Sequence, residues 1–190
     1  MKLVITGGIA SGKSAVTEIL AKKGFSIIDA DEVYRGLTSD GSDLNEVLRR
    51  EFGDEIVREG VLDRAALKKI AFSTQANTEK LNALTHGAVL AEIEKLLVAA
   101  RGNVAVAVPL YFEAGWKLNG IEEVWSVACD RETRIKRLCL RDTISREQAE
   151  RVMARQWTDE ERAALCDRVI ENNGTKESLE QKIENALEGR

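Results

Sequence analysis

Apolar positions along the chain alternate between two periods, and the change of period divides it. Leu3-Val4-Ile5 is a short, partly β-branched run ending at Gly7-Gly8, which predicts a buried strand. Over residues 13–23, Ala15, Val16, Ile19 and Leu20 fall on one helical face, closed by Gly24. Phe25-Ser26-Ile27-Ile28 predicts a second strand that ends at Asp29-Ala30-Asp31. Strand, helix and strand in so short a span form a βαβ unit and imply a parallel sheet. Helical spacing then recurs over 44–52, 62–72 (with Asp63 as N-cap) and 81–98, with no convincing strand between Val33 and Ala100. Strand patterns return at 104–108, 124–128 and 169–170, and a last helix is predicted over 176–187. The expected architecture is α/β, a three-layer sandwich around a five-stranded parallel sheet. Its core covers 1–35 and 101–190, and a helical insertion covers 36–100.

Composition narrows the class. The 190 residues are 44% hydrophobic and 32% charged, a globular balance that excludes a disordered chain and suffices for a core without staples. With Lys+Arg 28 against Asp+Glu 32, the net charge of −4 speaks against a nucleic-acid partner. Three cysteines (Cys129, Cys139, Cys166), with no CxxC pair and a single histidine, argue against a disulfide framework or a zinc site. The longest apolar run, 104–112, is broken by Pro109, so no membrane span is expected. The apolar stretch at the N-terminus is too short for a signal-peptide core. A cytoplasmic monomer is the expectation.

Gly7-Gly8-Ile9-Ala10-Ser11-Gly12-Lys13-Ser14 matches G-x-x-x-x-G-K-[ST] at every fixed position, between a predicted strand and a predicted helix. In such a loop, glycines let successive N–H groups turn toward phosphate oxygens, and the helix adds its positive end. Lys13 would reach the β- and γ-phosphates of a nucleotide and the Ser14 hydroxyl would ligate Mg²⁺. A match arises by chance in roughly one chain of this length in 150 at average composition. The competing reading is a glycine-rich turn with a solvated lysine. G-x-G-x-x-G is not met, which disfavours a dinucleotide-binding dehydrogenase.

Asp29 and Asp31 stand where a parallel strand delivers its carboxyl end, the ligand side of open α/β sheets. At i, i+2 on an extended chain both would point one way, one toward Mg²⁺ through water and the other toward an acceptor hydroxyl. Aspartate is a weak base toward an alcohol, so its duty in a loose transition state is orientation and late proton acceptance. Asp31 as the N-cap of a following helix is the structural alternative. Over residues 131–155, eight basic residues (Arg131, Arg134, Lys136, Arg137, Arg141, Arg146, Arg151, Arg155) face four acids, leaving net +4 there and −8 elsewhere. A lid over about 131–156 would use Arg137 and Arg141, four apart on one face, to neutralise a transferring phosphoryl group. The remaining arginines read as surface charge, and a solvated helix face with i, i+4 pairs is the alternative for the whole segment.

Together these residues resemble the dephospho-coenzyme A kinase family, along the whole chain. Thr6–Ser14 is similar to its T-G-G-I-G-S-G-K-S, and Ile28-Asp29-Ala30-Asp31 with Arg35 to its more specific I-D-A-D-x-x-x-R. Gly60-Val61-Leu62-Asp63-Arg64, Leu81-Asn82 with His86, and Pro109-Leu110-Tyr111-Phe112-Glu113 follow its pattern. So do Arg141-Asp142, Gln156 and the run from Val169 to Gly174. The resemblance implies a P-loop nucleoside triphosphate hydrolase-type fold and transfer from ATP, with Mg²⁺, to the ribose 3′-hydroxyl of dephospho-coenzyme A. It also implies Asp31 as catalytic carboxylate, with Lys13, Arg137 and Arg141 assisting. Gly8, Ile9, Ala10, Ser11, Gly12, Lys13 and Ser14 would bind the ATP phosphates, with Asn173 and Gly174 near adenine and the helical insertion on the coenzyme A side. Arg35, His86 and Glu113 are candidate substrate contacts; helix packing for His86 and structural hydrogen bonding for Glu113 are the alternatives. The chain departs from the pattern at Ala10, where a glycine is usual, and at Thr38-Ser39-Asp40-Gly41, which lacks a proline. It departs again at Gly87 and at Cys166. Ala10 keeps its N–H and suits the position if φ stays negative. Another small-molecule or nucleoside monophosphate kinase is the nearest rival. A GTP-dependent switch is disfavoured because no N-K-x-D string exists.

Overall fold

The computed structural model describes residues 1–39 and 41–189, so Asp40 of the Thr38–Gly41 departure lies outside the described residues. Seventeen elements follow in chain order, nine of them α-helices among the described residues: β1 (Lys2–Thr6), α1 (Lys13–Lys22), β2 (Ser26–Asp29), α2 (Ala30–Leu37), α3 (Asp43–Phe52), a 3₁₀ turn (Asp54–Ile56), β3 (Val57–Arg58), β4 (Val61–Leu62), α4 (Arg64–Ala71), α5 (Gln75–Ala99), β5 (Val104–Ala107), β6 (Glu123–Ala128), α6 (Arg131–Asp142), α7 (Arg146–Met153), α8 (Asp159–Ala163), β7 (Arg168–Glu171) and α9 (Lys176–Glu188). The chain divides into two compact units, Met1–Asp29 with Ala100–Arg190, and Ala30–Ala99.

The first unit is built on a five-stranded, wholly parallel sheet of order β2-β5-β1-β6-β7. β1 and β5 are buried along almost their whole length, as unbroken apolar runs covered on both faces must be. Leu3, Ile5, Trp125, Val127 and Ile170 of the sheet pack with Val16, Ile19 and Leu20 of α1 and Leu179 and Ile183 of α9. A smaller cluster joins Ile135 and Leu138 of α6 and Ala149 of α7 to Ile9 and Ala10 of the loop after β1. The segment expected to act as a lid is therefore, over α6, packed on that loop. Cys129, one residue beyond β6, is buried.

The second unit is helical, with Leu48, Phe52, Ile56, Leu62, Leu67, Ala71 and Leu81 as its core. Asp63 caps α4 as the sequence predicts, accepting from the N–H groups of Ala65 and Ala66 at 3.0 and 2.9 Å. The hairpin β3–β4 stands where no strand was expected; two residues per strand leave no periodicity to read. The boundary also differs, falling at 29/30 rather than 35/36, because β2 passes directly into α2.

Candidate active site

β1 delivers the chain to the carboxyl edge of the sheet, and the eight residues from Gly7 to Ser14 carry it into α1. The cap position of α1 is Gly12, left-handed at φ 97, and no side chain closes the helix start. A Cβ at Gly12 would stand 2.0 Å from Asn172 Nδ2, so glycine is required there on two grounds. Ala10 adopts φ 60, so the condition under which alanine replaces glycine without strain is not met. A left-handed L-residue costs about 1–2 kcal/mol.

The loop's carbonyl side is occupied by donors. Lys13 Nζ donates to Gly7 O at 2.7 Å and Gly8 O at 3.3 Å. Arg134 Nε–H donates to Ile9 O at 3.0 Å. Arg137 Nη1 lies 3.3 Å from Ser11 O and 3.5 Å from Ala10 O, while Asn172 Nδ2 donates to Ser11 O at 2.9 Å. In a planar trans peptide the C=O and the next N–H point oppositely. Holding the carbonyls of Ile9, Ala10 and Ser11 from one side thus directs the amides of Ala10, Ser11 and Gly12 to the other. The Ser11 amide returns to Gly8 O at 3.2 Å, and the Ile9 N–H donates to Gln156 Oε1 at 2.8 Å. Ser11 Oγ is buried with no hydrogen-bond partner.

The other expected residues are placed as follows. Ser14 is exposed in the first turn of α1. Arg137 is on the carbonyl side of the loop, also donating through Nη2 to Asn172 O at 3.3 Å. Arg141 is exposed and held by its neighbour Asp142 through two bonds of 2.7 and 2.9 Å. Asn173 and Gly174 are exposed in the turn after β7, where Asn173 Oδ1 accepts the Asp130 N–H at 2.7 Å. Glu113 lies six residues beyond β5 rather than at its end, and it pairs with Arg162, whose side chain is wholly buried. That pairing is the structural role weighed for Glu113.

In the helical unit, Asp31 is exposed in the first turn of α2. The helix begins at Ala30, which corrects two expectations: Asp31 is inside the helix rather than its N-cap, and Asp29 and Asp31 do not share an extended chain. Arg35 is exposed on the same helix, 3.7 Å from Glu32. Arg64 secures the end of α2, donating to Arg35 O at 3.1 Å and Thr38 Oγ1 at 2.9 Å. His86 is half-buried in α5, and that burial pushes its imidazole below the usual histidine range.

Sequence reasoning passed over Arg134, grouped with surface charge, and Asn172, beside the asparagine it chose. Arg134 shares a face with Arg137 at i, i+3, and Asn172 directly follows a parallel strand; those two facts were the available signals. Of the eight basic residues, Arg131 and Arg146 do form exposed pairs with Glu132 and Glu150, as the solvated-face alternative has it.

Residues present fit a nucleotide triphosphate with its metal. The helix start has no side-chain cap, the carbonyls of Ile9, Ala10 and Ser11 are held by Arg134, Arg137 and Asn172, and a buried hydroxyl in the loop lacks a partner. Among the described residues no group of three His, Cys, Asp or Glu could hold a metal ion. Mg²⁺ needs no such cage, since one hydroxyl, phosphate oxygens and water commonly complete its shell. Also among the described residues, no helix is long and apolar enough to cross a membrane.

A parallel sheet whose first strand feeds a Gly-x-x-x-x-Gly-Lys-Ser loop and a helix start without a side-chain cap defines a P-loop nucleotide-binding fold. The same fold is found in the shikimate kinase of Bacteroides thetaiotaomicron, at TM-score 0.60 and 14% identity over 99% of this chain and 98% of that one. The dephospho-CoA kinase family model matches residues 1–178, and the chain belongs to that family. It is 42% identical to the dephospho-CoA kinase of Geobacter sulfurreducens over 186 residues, covering 95% of this chain and 93% of the relative. The dephospho-CoA kinase of Campylobacter jejuni superposes at TM-score 0.72 with 26% identity, over 100% of this chain and 99% of that one.

Proposed function

We propose that the chain transfers the γ-phosphoryl group of ATP to the ribose 3′-hydroxyl of dephospho-coenzyme A, the step that yields coenzyme A. The observation that carries this reading is the start of α1, which no side chain caps, behind a loop whose Ile9, Ala10 and Ser11 carbonyls are held by Arg134, Arg137 and Asn172. In this reading the amides of Ala10, Gly12 and Lys13 receive phosphate oxygens. The Lys13 ammonium exchanges Gly7 O and Gly8 O for the β- and γ-phosphates. Ser14 Oγ would hold Mg²⁺, which would supply charge neutralisation at the phosphates when bound. Asn173 and Gly174 border the adenine. Asp31 orients the 3′-hydroxyl; its oxygen bonds to phosphorus as the bond to the β–γ bridging oxygen breaks, and Asp31 takes the proton late. Arg35 and His86 contact the acceptor, His86 as a neutral imidazole. Arg141 leaves Asp142 to meet the transferring group. Arg137 supports the loop from behind, and Glu113 supports it through Arg162.

The test is an acceptor screen with ATP and Mg²⁺, products identified by mass. Dephospho-coenzyme A converted to coenzyme A with equal ADP is the expected result, and ADP release only with AMP, CMP, UMP or dTMP overturns the assignment. Asp31→Asn is expected to abolish turnover while ATP affinity stays within about twofold, since the substitution leaves the loop untouched.

A further inference from the structure

Arg134 is 7% exposed at its side chain, in a stretch otherwise rich in solvent-facing arginines. Its Nε–H donates to Ile9 O at 3.0 Å and its Nη1 to Asp159 Oδ1 at 3.3 Å. The guanidinium lies close against Gly8, where any Cβ would fall 2.2 Å from Nη2. Asp159 is shared with Arg162 Nη1 at 3.4 Å and receives the Cys129 N–H at 3.2 Å, so α8 and the end of β6 both fix the fork. Beside it, Ile135 and Leu138 are buried against Ile9 and Ala10. Burying a cation costs free energy unless every donor has a use, and here the uses are one loop carbonyl and one carboxylate.

We infer that Arg134 is a positioning residue for phosphoryl transfer: by holding the Ile9 carbonyl it keeps the following peptide turned so that the Ala10 amide faces the phosphates. Ala10 at φ 60 is the strained residue of the loop, and the bond from Arg134 is made to the peptide on its N-terminal side. Without that bond the peptide between Ile9 and Ala10 relaxes by rotating its carbonyl inward, which sets a negative dipole against the phosphates. The pair Gly8 and Arg134 is thus one device, the glycine making room for the guanidinium. Arg134 touches no reacting atom and acts through the loop.

This inference rests on the loop's binding ATP, and its test separates the two. Affinity for a fluorescent ATP analogue is titrated for the wild type, Arg134→Met and Arg134→Gln, and steady-state constants are then measured with both substrates. Arg134→Met is expected to weaken nucleotide binding and raise KM for ATP by roughly tenfold, with KM for dephospho-coenzyme A within twofold. Arg134→Gln, whose amide N–H can still reach Ile9 O, recovers part of that loss. Wild-type affinity in a folded Arg134→Met overturns the inference, as does a matching loss of kcat with both KM values unchanged, the mark of a smaller folded fraction. Should the methionine variant not fold, the glutamine variant decides: an ATP-selective defect supports the inference and wild-type constants overturn it. Absence of turnover by the wild type overturns the functional reading, while the nucleotide titration still judges Arg134.

Discussion

Three helices of the first unit follow strands of the same parallel sheet, and two of them are closed by their own residues. After β6, Asp130 accepts the Thr133 N–H at 2.9 Å, and that bond holds the Asp130 carboxyl below the usual range. After β7, Thr175 accepts the Ser178 N–H at 3.3 Å. After β1, the cap position is Gly12, and no side chain caps the helix start. The three ends are alike in place and dipole, so the difference lies in what the sequence provides. Where it supplies Asp or Thr, the amides serve the fold. Where it supplies glycine and arranges Arg134, Arg137 and Asn172 around the loop, the proposed function assigns the amides to phosphate oxygens.

The largest effect expected from this contrast is at Lys13. Lys13→Ala removes the cation that the proposed function assigns to the phosphates and should lower kcat by roughly 10²–10³-fold or more, as loss of a charge-stabilising donor does. The Lys13 ammonium donates to Gly7 O and Gly8 O, contacts within the loop itself, so the melting temperature should move less than the rate. Thermal unfolding beside steady-state kinetics separates the two effects.

A sharper comparison sets Gly12→Ala against Thr175→Ala. The new Cβ at 12 meets Asn172 Nδ2 and must displace the bond that Asn172 makes to Ser11 O. Left-handed strain and a lost buried bond together predict a cost of about 2–3 kcal/mol, with ATP binding severely weakened. Thr175→Ala removes a cap only, predicting about 1 kcal/mol and an unchanged KM for ATP. Equal losses of ATP affinity in the two variants would break the distinction between open and closed helix starts.

The sheet and the loop were legible because strong local rules carry them: short unbroken apolar runs for β1 and β5, and fixed glycines at set spacing for Gly7–Ser14. The helical unit was legible as helices through the period of Leu48, Phe52 and Leu67, but not in its hairpin or in the direct passage from β2 to α2. What sits behind the loop was not legible. Arg134, Asn172 and Gln156 are 125, 161 and 147 residues from their loop partners, so no local pattern reports those pairings. Arg134 in particular looked like its neighbours, since composition counts a buried guanidinium and a solvated one alike. Tertiary placement alone distinguishes it from Arg146, which forms exposed pairs one helix further on.

Ala10 is the smallest test, and it asks what the loop requires of its backbone. Relief of left-handed strain by Ala10→Gly is worth about 1–2 kcal/mol. Against it stand about 0.5–1 kcal/mol of added unfolded-chain freedom and a few tenths for losing a partly buried methyl beside Ile135 and Leu138. The terms nearly cancel, so Ala10→Gly should change stability by less than about 1 kcal/mol, a shift of no more than about 2–4 °C in melting temperature. KM for ATP should stay within twofold, because the Ala10 amide is aimed by the Arg134 donor on Ile9 O rather than by the side chain at 10. A several-fold rise in KM would instead mean that the stiffness of alanine holds the amide, and that the donors behind the loop only accommodate it.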